Sequence, residues 1–188
     1  MNDELFNIYE YFSHNFRTFT STIVAGIEVL KLDFDVDKKS GVASIYESSY
    51  LLDLYDNAFN ICLKHVLGKN DNLSKSNFKP LNTVEKLLDE FDDLIKLKQI
   101  TVSIENMAEN GVAGYEFVYK NLFQIIIYEI VRVSQGDIDI RFRDSEIQVC
   151  YEEITENLPD IFSIFKEILK KYDMLFFYEN NRVILEFL

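Results

Sequence analysis

The stretch DELFNIYEYFSHNFRTFTSTIVAGIEVLK, residues 3–31, decides the fold of this chain. Its seam of apolar side chains alternates spacings of four and three residues and consists of Leu5, Tyr9, Phe12, Phe16, Phe19, Ile23, Gly26 and Leu30. This spacing, held for nearly four heptads, is typical of the contact line between helices in a coiled coil. The sequence therefore predicts one long helix that packs lengthwise against another helix.

A second seam follows the charged segment DFDVDKKSG, residues 33–41, which we expect to end the first helix. The second seam consists of Ile45, Ser48, Leu52, Tyr55, Phe59, Cys62 and Val66, and its apolar face is widened by Leu51, Leu54, Ala58 and Ile61. A single hairpin would leave part of this surface in water, whereas two hairpins would bury it. We therefore expect residues 1–70 to form a helical hairpin domain that dimerises into a four-helix bundle.

The segment GKNDNLSKSNFKP, residues 68–80, is rich in Gly, Ser, Asn and Pro, which predicts a linker. After it the spacing of the apolar residues changes. Asn82 and Glu85 have the spacing of a capping box at the start of a helix. The elements predicted from there on are a helix over 81–98, a strand over 99–105, a helix over 115–133, strands over 137–144 and 146–153, a helix from Pro159, and a final hairpin around Asn180-Asn181. Residues 76–188 are thus expected to form a small α/β sandwich with a mixed sheet, which makes the fold class α+β.

Composition and charge narrow the classes of partner. The chain has 188 residues, 48% of them hydrophobic, and a net charge of −13. Nucleic acids and anionic membrane surfaces both require a basic face, so we expect neither as a partner. No apolar run approaches the roughly 18 residues that span a bilayer. The N-terminus lacks the pattern of a signal peptide, and Cys62 and Cys150 lie in apolar stretches as buried thiols would. We therefore expect a cytoplasmic protein.

His14 occupies a distinctive place in the first seam. If Phe12 is at heptad position d and Phe16 at position a, His14 lies at position f and points to solvent. A neutral exposed imidazole is a nucleophile at cytoplasmic pH, so the position suits a phosphoryl acceptor. A surface histidine without a function would satisfy the same register.

The residues around His14 carry a family resemblance. Residues 13–20, SHNFRTFT, resemble the phosphoacceptor box of sensor histidine kinases, which usually has the form S-H-[E/D/N]-[L/F]-R-T-P-L. The serine, histidine, apolar, arginine and threonine positions agree. Phe19 replaces the usual proline, so we expect no bend there. Asn15 replaces the usual acidic residue, which removes the general base for attack on ATP.

The second half resembles the ATP-binding domain of the same family, but without its nucleotide chemistry. Residues 125–132 occupy the place of the motif N-L-L-x-N-A-x-K, with Glu129 where the family has its magnesium-binding asparagine. The strand over 146–153 is followed by ITENLPD, residues 154–160, where the family has D-x-G-x-G. No glycine follows Gly136, so the later glycine box and lid are also missing. The resemblance therefore implies a truncated, degenerate kinase core that does not bind ATP.

Such a core is similar to the dimeric histidine phosphotransferases of bacterial phosphorelays. The resemblance implies that His14 carries the phosphoryl group, with Arg17 and Thr18 beside it, although Arg17 is equally well interpreted as a surface charge. The residues expected to contact the partner are Asn15, Ser21 and Thr22. The implied partners are a second copy of the chain and receiver domains of response regulators, and the receiver supplies Mg²⁺ while the chain needs no cofactor of its own.

Two other functions remain open from the sequence. The chain could be a non-catalytic dimeric adaptor that binds a receiver or a histidine kinase and regulates it. It could also be an active kinase with an unusual nucleotide site, which would reveal itself by binding ATP.

Overall fold

The computed structural model describes residues 3–31, 35–69, 72–179 and 181–188, with side chains from residue 41 onward in the second range. The chain divides into two compact units, Met1–Lys69 and Asn70–Leu188. None of the described helices has the length and apolar character needed to cross a bilayer.

The first unit is an antiparallel helical hairpin. Helix α1 spans Asp3–Lys31 and helix α2 spans Asp35–Val66. The sequence predicts a break over residues 33–41, but α2 already begins at Asp35, so most of that charged segment is helical. Helix α1 runs without interruption through Phe19, as expected when proline is absent there.

The buried face of α1 differs from the predicted seam at its N-terminal end. Ile8, Phe12, Phe19 and Gly26 are buried, whereas Tyr9 is 60% exposed. Ile8 and Tyr9 lie about 100° apart on the helix, and it is Ile8, four residues before Phe12, that lies on the side facing α2. In α2 the widening residues Leu51, Leu54, Ala58 and Ile61 are all buried.

A close helix approach lies at the loop end of the hairpin. A Cβ atom added to Gly26 would lie 2.9 Å from the carbonyl oxygen of Gly41 and 2.8 Å from Cγ1 of Ile45. Neither helix could come this close with a larger residue at position 26. The glycine in the first seam therefore marks a contact between the two backbones.

The second unit combines helices with a five-stranded mixed sheet, as predicted. Its elements are β1 (Ser76–Phe78), α3 (Pro80–Glu90), α4 (Asp92–Lys98), β2 (Val102–Asn106), β3 (Val112–Gly114), α5 (Glu116–Val118), a π-helical turn (Tyr119–Phe123), α6 (Gln124–Val133), β4 (Ile138–Arg143), β5 (Glu146–Tyr151), α7 (Ile161–Lys171), β6 (Met174–Glu179) and β7 (Arg182–Phe187). The strand order is β2-β4-β5-β7-β6; β2 and β4 are parallel and the other pairs are antiparallel.

The main differences from the predicted elements lie at the start of this unit. Strand β1 falls inside the predicted linker over 68–80 and pairs with β3, and neither strand was expected from the sequence. The first helix begins at Pro80, and no side-chain cap is present, so the predicted capping box at Asn82 is wrong. Proline has no N–H to satisfy and its φ suits the first helical turn, which moves the start two residues earlier.

The core of the second unit lies between α6, α7 and the sheet. Every residue of α6 except Arg132 is buried, which explains the Ile/Val-rich composition of this segment. The strands alternate: Ile138, Ile140 and Phe142 of β4 are buried, and the residues between them are partly exposed. Helix α7 adds the apolar face Ile161, Phe162, Ile164, Phe165, Ile168 and Leu169.

Candidate functional site

His14 lies on the exposed side of α1. Phe12 and Phe19 on the same helix are buried, whereas His14 is exposed, consistent with heptad position f. Two residues correspond to about 200° of rotation round an α-helix, so the imidazole points away from the direction in which Phe12 packs. Among the described residues, no hydrogen bond or ion pair involves this imidazole. Both ring nitrogens are therefore available to an incoming group.

An aromatic cluster holds the helix rigid beneath His14. Phe12 contacts Tyr55 and Phe59 of α2, with ring centroids 5.9 Å and 5.4 Å apart. Phe19 packs edge-on against Tyr55 at 5.0 Å. The hydroxyl groups of Tyr11 and Tyr55 lie 3.2 Å apart, at hydrogen-bond distance. Packing of this kind holds the backbone that carries His14 against α2, while the imidazole itself lies on the solvent side.

The hydroxyl and amide groups near His14 donate to their own helix. Thr18 Oγ1 donates to the carbonyl oxygen of His14 at 3.1 Å, and Thr22 Oγ1 donates to that of Thr18 at 3.0 Å. Asn15 is half-buried, and its Nδ2 donates to the carbonyl oxygen of Tyr11 at 2.9 Å. These side-chain protons are engaged within α1. What Thr18 offers at the surface beside His14 is therefore an oxygen lone pair.

Arg17 and Ser21 are the remaining predicted site residues. Both are exposed on α1. Ser21 is seven residues from His14, about 10 Å along the helix and almost directly in line with it. Arg17 is three residues away, about 5 Å along the axis, with a side chain long enough to reach a group bound to the imidazole. The guanidinium of Arg17 has no ion pair within the described ranges. The surface round His14 thus combines a nucleophile, a free cation and small polar groups.

In the second unit, the side chain of Glu129 is held by an ion pair. The Glu129 side chain is 2% exposed, and its Oε2 accepts a hydrogen bond from Nε of Arg132 at 2.8 Å. Arg132 Nη1 lies 3.1 Å from Oε2 of Glu156. Burial acts to lower the pKa of Arg132, but its two carboxylate partners outweigh that effect and raise it. The guanidinium of Arg132 is therefore the cation bound to Oε2 of Glu129.

Sequence reasoning singled out Glu129 but missed the role of Arg132. The spacing of three residues on one helix, which favours ion pairing, was the available signal. Ile125, the other position compared with the family motif, is fully buried. The described residues contain no cluster of three or more His, Cys, Asp or Glu side chains that could hold a metal ion.

Comparison of the sequence with protein-family models and with curated proteins finds no match. The fold, however, is shared with solved structures. The cytoplasmic segment of histidine kinase QseC superposes with a TM-score of 0.57 at 16% identity, covering 71% of this chain and 92% of that one. Histidine kinase AdeS of Acinetobacter baumannii gives a TM-score of 0.56 at 14% identity, covering 92% of this chain and 94% of that one.

The fold is that of a histidine kinase core. The long N-terminal helices match the dimerisation part of such a core and the mixed sheet matches its ATPase-like part. At these levels of identity the likeness concerns the fold alone. In this comparison α1 is the first of the long N-terminal helices, and Glu129 lies on α6, the helix compared above with the N-L-L-x-N-A-x-K motif.

Proposed function

We propose that this chain is a histidine phosphotransferase of a two-component phosphorelay, which passes a phosphoryl group between receiver-domain aspartates through His14. The observation that carries the proposal is the exposed imidazole of His14 on the outer face of a rigid helix, within the string SHNFRT and a histidine-kinase-like fold. A phosphocarrier needs a nucleophile that its partner can reach, and the exposure of His14 on a helix packed by aromatic side chains supports this role.

The proposed transfer consists of two in-line displacements at phosphorus. A ring nitrogen of neutral His14 attacks the phosphorus of an aspartyl phosphate in line with the bond to the aspartate oxygen. That P–O bond breaks, and the carboxylate leaves with the electron pair. In the second step the carboxylate of another receiver attacks the phosphorus and the P–N bond breaks. The Mg²⁺ held by each receiver stabilises the charge on the phosphoryl oxygens, so this chain supplies no cofactor.

Residues beside His14 have assigned roles in this proposal. Arg17, the unpaired cation one turn along α1, stabilises the negative charge of phosphohistidine. Thr18 presents its lone pairs to the receiver, because its proton is engaged with the carbonyl oxygen of His14. Asn15, Ser21 and Thr22 contribute to the choice of receiver.

Homodimerisation is part of the same proposal. Four large apolar side chains of α1 are substantially exposed in the single chain: Phe6, Tyr9, Val24 and Ile27. They fall on one flank of the helix. Their successive spacings of 3, 15 and 3 residues each differ from a whole number of helical turns by about 60°, in alternating directions, so all four lie within one sector of about 60°. Exposed apolar stripes of this kind mark protein interaction surfaces. A second hairpin packed on this flank leaves the His14 side free for a receiver.

The proposal also includes the loss of ATP-dependent kinase activity. Glu129, which the resemblance aligns with the family's magnesium-binding asparagine, is 2% exposed and paired with Arg132 within the chain, which supports the loss of metal binding at this position. The segment of residues 152–160 contains no glycine that would let a nucleotide approach the backbone. We therefore expect no autophosphorylation with ATP, which distinguishes a phosphotransferase from an active kinase.

The test is transfer from receiver domains of the same genome, phosphorylated with ³²P, to the wild-type chain and to His14→Gln. We expect label on the wild type that is labile in acid and stable in base, and none on His14→Gln. His65→Gln, which makes the same substitution at the other histidine of the chain, is the matched control and should keep its label. Absence of label with every receiver, for a folded dimer that still binds one, would overturn the proposal in favour of the regulatory adaptor.

A further inference from the structure

A solvent-open cleft lies at the start of the second unit, far along the sequence from His14. Its volume is about 530 Å³, within the range of about 300–1,000 Å³ typical of ligand sites. Its walls come from the end of β1, the first turns of α3, the loop before β3 and the start of the α5 segment. The lining residues are Asn77, Phe78, Lys79, Asn82, Thr83, Lys86, Gly111, Glu116 and Lys120.

The charge of this cleft is opposite to that of the chain. The protein has 32 acidic and 19 basic side chains. The cleft nevertheless gathers Lys79, Lys86 and Lys120, and within the described ranges none of the three has an ion pair. The one acidic side chain in the lining, Glu116, accepts a hydrogen bond from Ser76 Oγ at 3.3 Å. Three unpaired ammonium groups round one cleft repel each other, and an anion between them would remove that repulsion.

The two walls present their polar groups towards the same space. Asn82 and Lys86 are four residues apart on α3 and lie on one face of that helix. Glu116 and Lys120 have the same spacing on the other wall. Gly111 allows the wall to close, because a Cβ atom there would lie 2.8 Å from the carbonyl oxygen of Phe78. Lys79 directly precedes α3, Lys86 lies on α3 and Lys120 lies in the π-helical turn, so the fold brings Lys120 to the other two.

Neutral donors accompany the lysines. The amides of Asn77 and Asn82 and the hydroxyl of Thr83 line the cleft with them. Phosphate groups are bound by this combination, in which ammonium groups supply charge and neutral donors supply direction. A smaller cavity of about 110 Å³ shares Lys79 and Asn82 with the cleft, and its lining adds one basic and one acidic side chain, Arg143 and Glu109. The excess of positive charge therefore belongs to the larger cleft.

We propose that this cleft is a binding site for a small polyanion with two or more phosphate groups. Three lysines distributed round the cleft suit several linked phosphates better than a single one, and the volume admits such a ligand. None of the lining residues belongs to α1 or to the segment Ile125–Arg132. The inference therefore does not depend on the function proposed for His14.

The test is titration of the full-length chain with inorganic pyrophosphate, followed by calorimetry and by backbone amide NMR. We expect saturable binding that shifts the amide signals of Asn82, Thr83 and Gly111. Lys86→Gln and Lys120→Gln should each weaken binding about threefold at low ionic strength, and the double variant about tenfold, as expected for loss of one partly screened charge at a time. Raising the salt concentration should reduce the affinity of the wild type.

Lys170→Gln is the matched control, because it removes the same charge from an exposed site on α7 outside the cleft. It should leave the affinity within experimental error of wild type. Two results would overturn the proposal: no saturable binding of pyrophosphate at millimolar concentration, or equal weakening by Lys170→Gln and Lys86→Gln. Circular dichroism of each variant establishes that it is folded, so that a loss of binding reports on the cleft.

Discussion

The two cysteine residues lie in different environments. Cys62 is fully buried in α2, and burial raises the pKa of its thiol well above the ordinary value. Cys150 on β5 is partly exposed. Because the thiolate is the reactive form, burial protects Cys62 both sterically and by keeping it protonated.

We therefore predict that an aromatic disulfide reagent at pH 8 modifies Cys150 in the native protein, and Cys62 only after unfolding. The single variants Cys150→Ser and Cys62→Ser separate the two thiols. Native Cys150→Ser should show almost no reactive thiol until denaturant is added. Rapid labelling of that variant under native conditions would contradict the burial of Cys62.

The ion pair of Glu129 gives a second prediction at the scale of single residues. Arg132→Met would remove the guanidinium from a carboxylate that is 2% exposed. Loss of a charge partner from a buried carboxylate is costly, and the partial exposure of Arg132 reduces the effect, so we expect a loss of about 2 kcal/mol in the free energy of unfolding. Urea denaturation measures it.

The controls for this prediction use the same ion pair. Glu156→Gln removes only the exposed partner of Arg132 and should cost less than about 0.5 kcal/mol. The double variant Glu129→Gln/Arg132→Met leaves no buried charge and should recover part of the loss. If Arg132→Met were as stable as the wild type, Glu129 would not depend on this guanidinium.

At the scale of elements, the hairpin depends on the contact between Gly26 and α2. An added methyl group would meet the carbonyl oxygen of Gly41 and the side chain of Ile45 below 3.0 Å. At an exposed helix position, glycine to alanine stabilises by about 1 kcal/mol. We predict that Gly26→Ala instead destabilises the protein by about 1–3 kcal/mol, because the helices must separate.

Thermal unfolding followed by circular dichroism tests this prediction. Thr20→Ala, an exposed position on the same helix, is the control and should change stability by less than about 0.5 kcal/mol. A more stable Gly26→Ala variant would mean that the helices do not approach closely at this point.

The sequence predicted the elements in which apolar residues recur with a clear period. Each of these elements buries one face along its whole length, which leaves a recognisable pattern of apolar residues. They are the helices α1, α2 and α7 and the strands β4 and β5. Strands β1 and β3 have three residues each, too few for any pattern to be recognised. The sequence could not decide between Ile8 and Tyr9 as the core residue, because both are apolar neighbours and only the packed helices show which one faces α2.

The candidate site was predictable only in part, for a related physical reason. The heptad register places His14 on the outside of the helix without knowledge of any contact. The back-bonding of Thr18 and the ion pair of Glu129 depend on side-chain conformations, which the sequence does not specify. Convergence of Lys79, Lys86 and Lys120 depends on β1 and β3, the two strands that the sequence pattern did not reveal.

At the scale of the whole molecule, the apolar flank of α1 predicts a homodimer. Tyr9 and Ile27 are 60% and 43% exposed and lie on the same side of the helix. Placing glutamate at both positions would put two charges into the proposed interface, where desolvation without a partner is unfavourable. We predict that Tyr9→Glu/Ile27→Glu is monomeric, as measured by light scattering coupled to size-exclusion chromatography.

The matched control is Asn7→Glu/Ala25→Glu, which adds the same charge at exposed positions on the opposite side of α1. This variant should keep the mass of a dimer. A monomeric wild type, or a dimer that survives the Tyr9→Glu/Ile27→Glu substitutions, would place the contact between copies elsewhere or exclude it.

The parallel pairing of β2 with β4 has a consequence for the time course of folding. Strands β4 and β5 are joined by a two-residue turn, and such hairpins close within about 1–10 μs. Strands β2 and β4, in contrast, are separated in the sequence by β3 and by the whole segment from α5 to α6. Their pairing closes a loop of that length. Closing so long a loop is entropically slow, and β2 has a neighbour on one side only. The edge strand is therefore the last part of the sheet to become ordered during refolding and the first to fray in the native state.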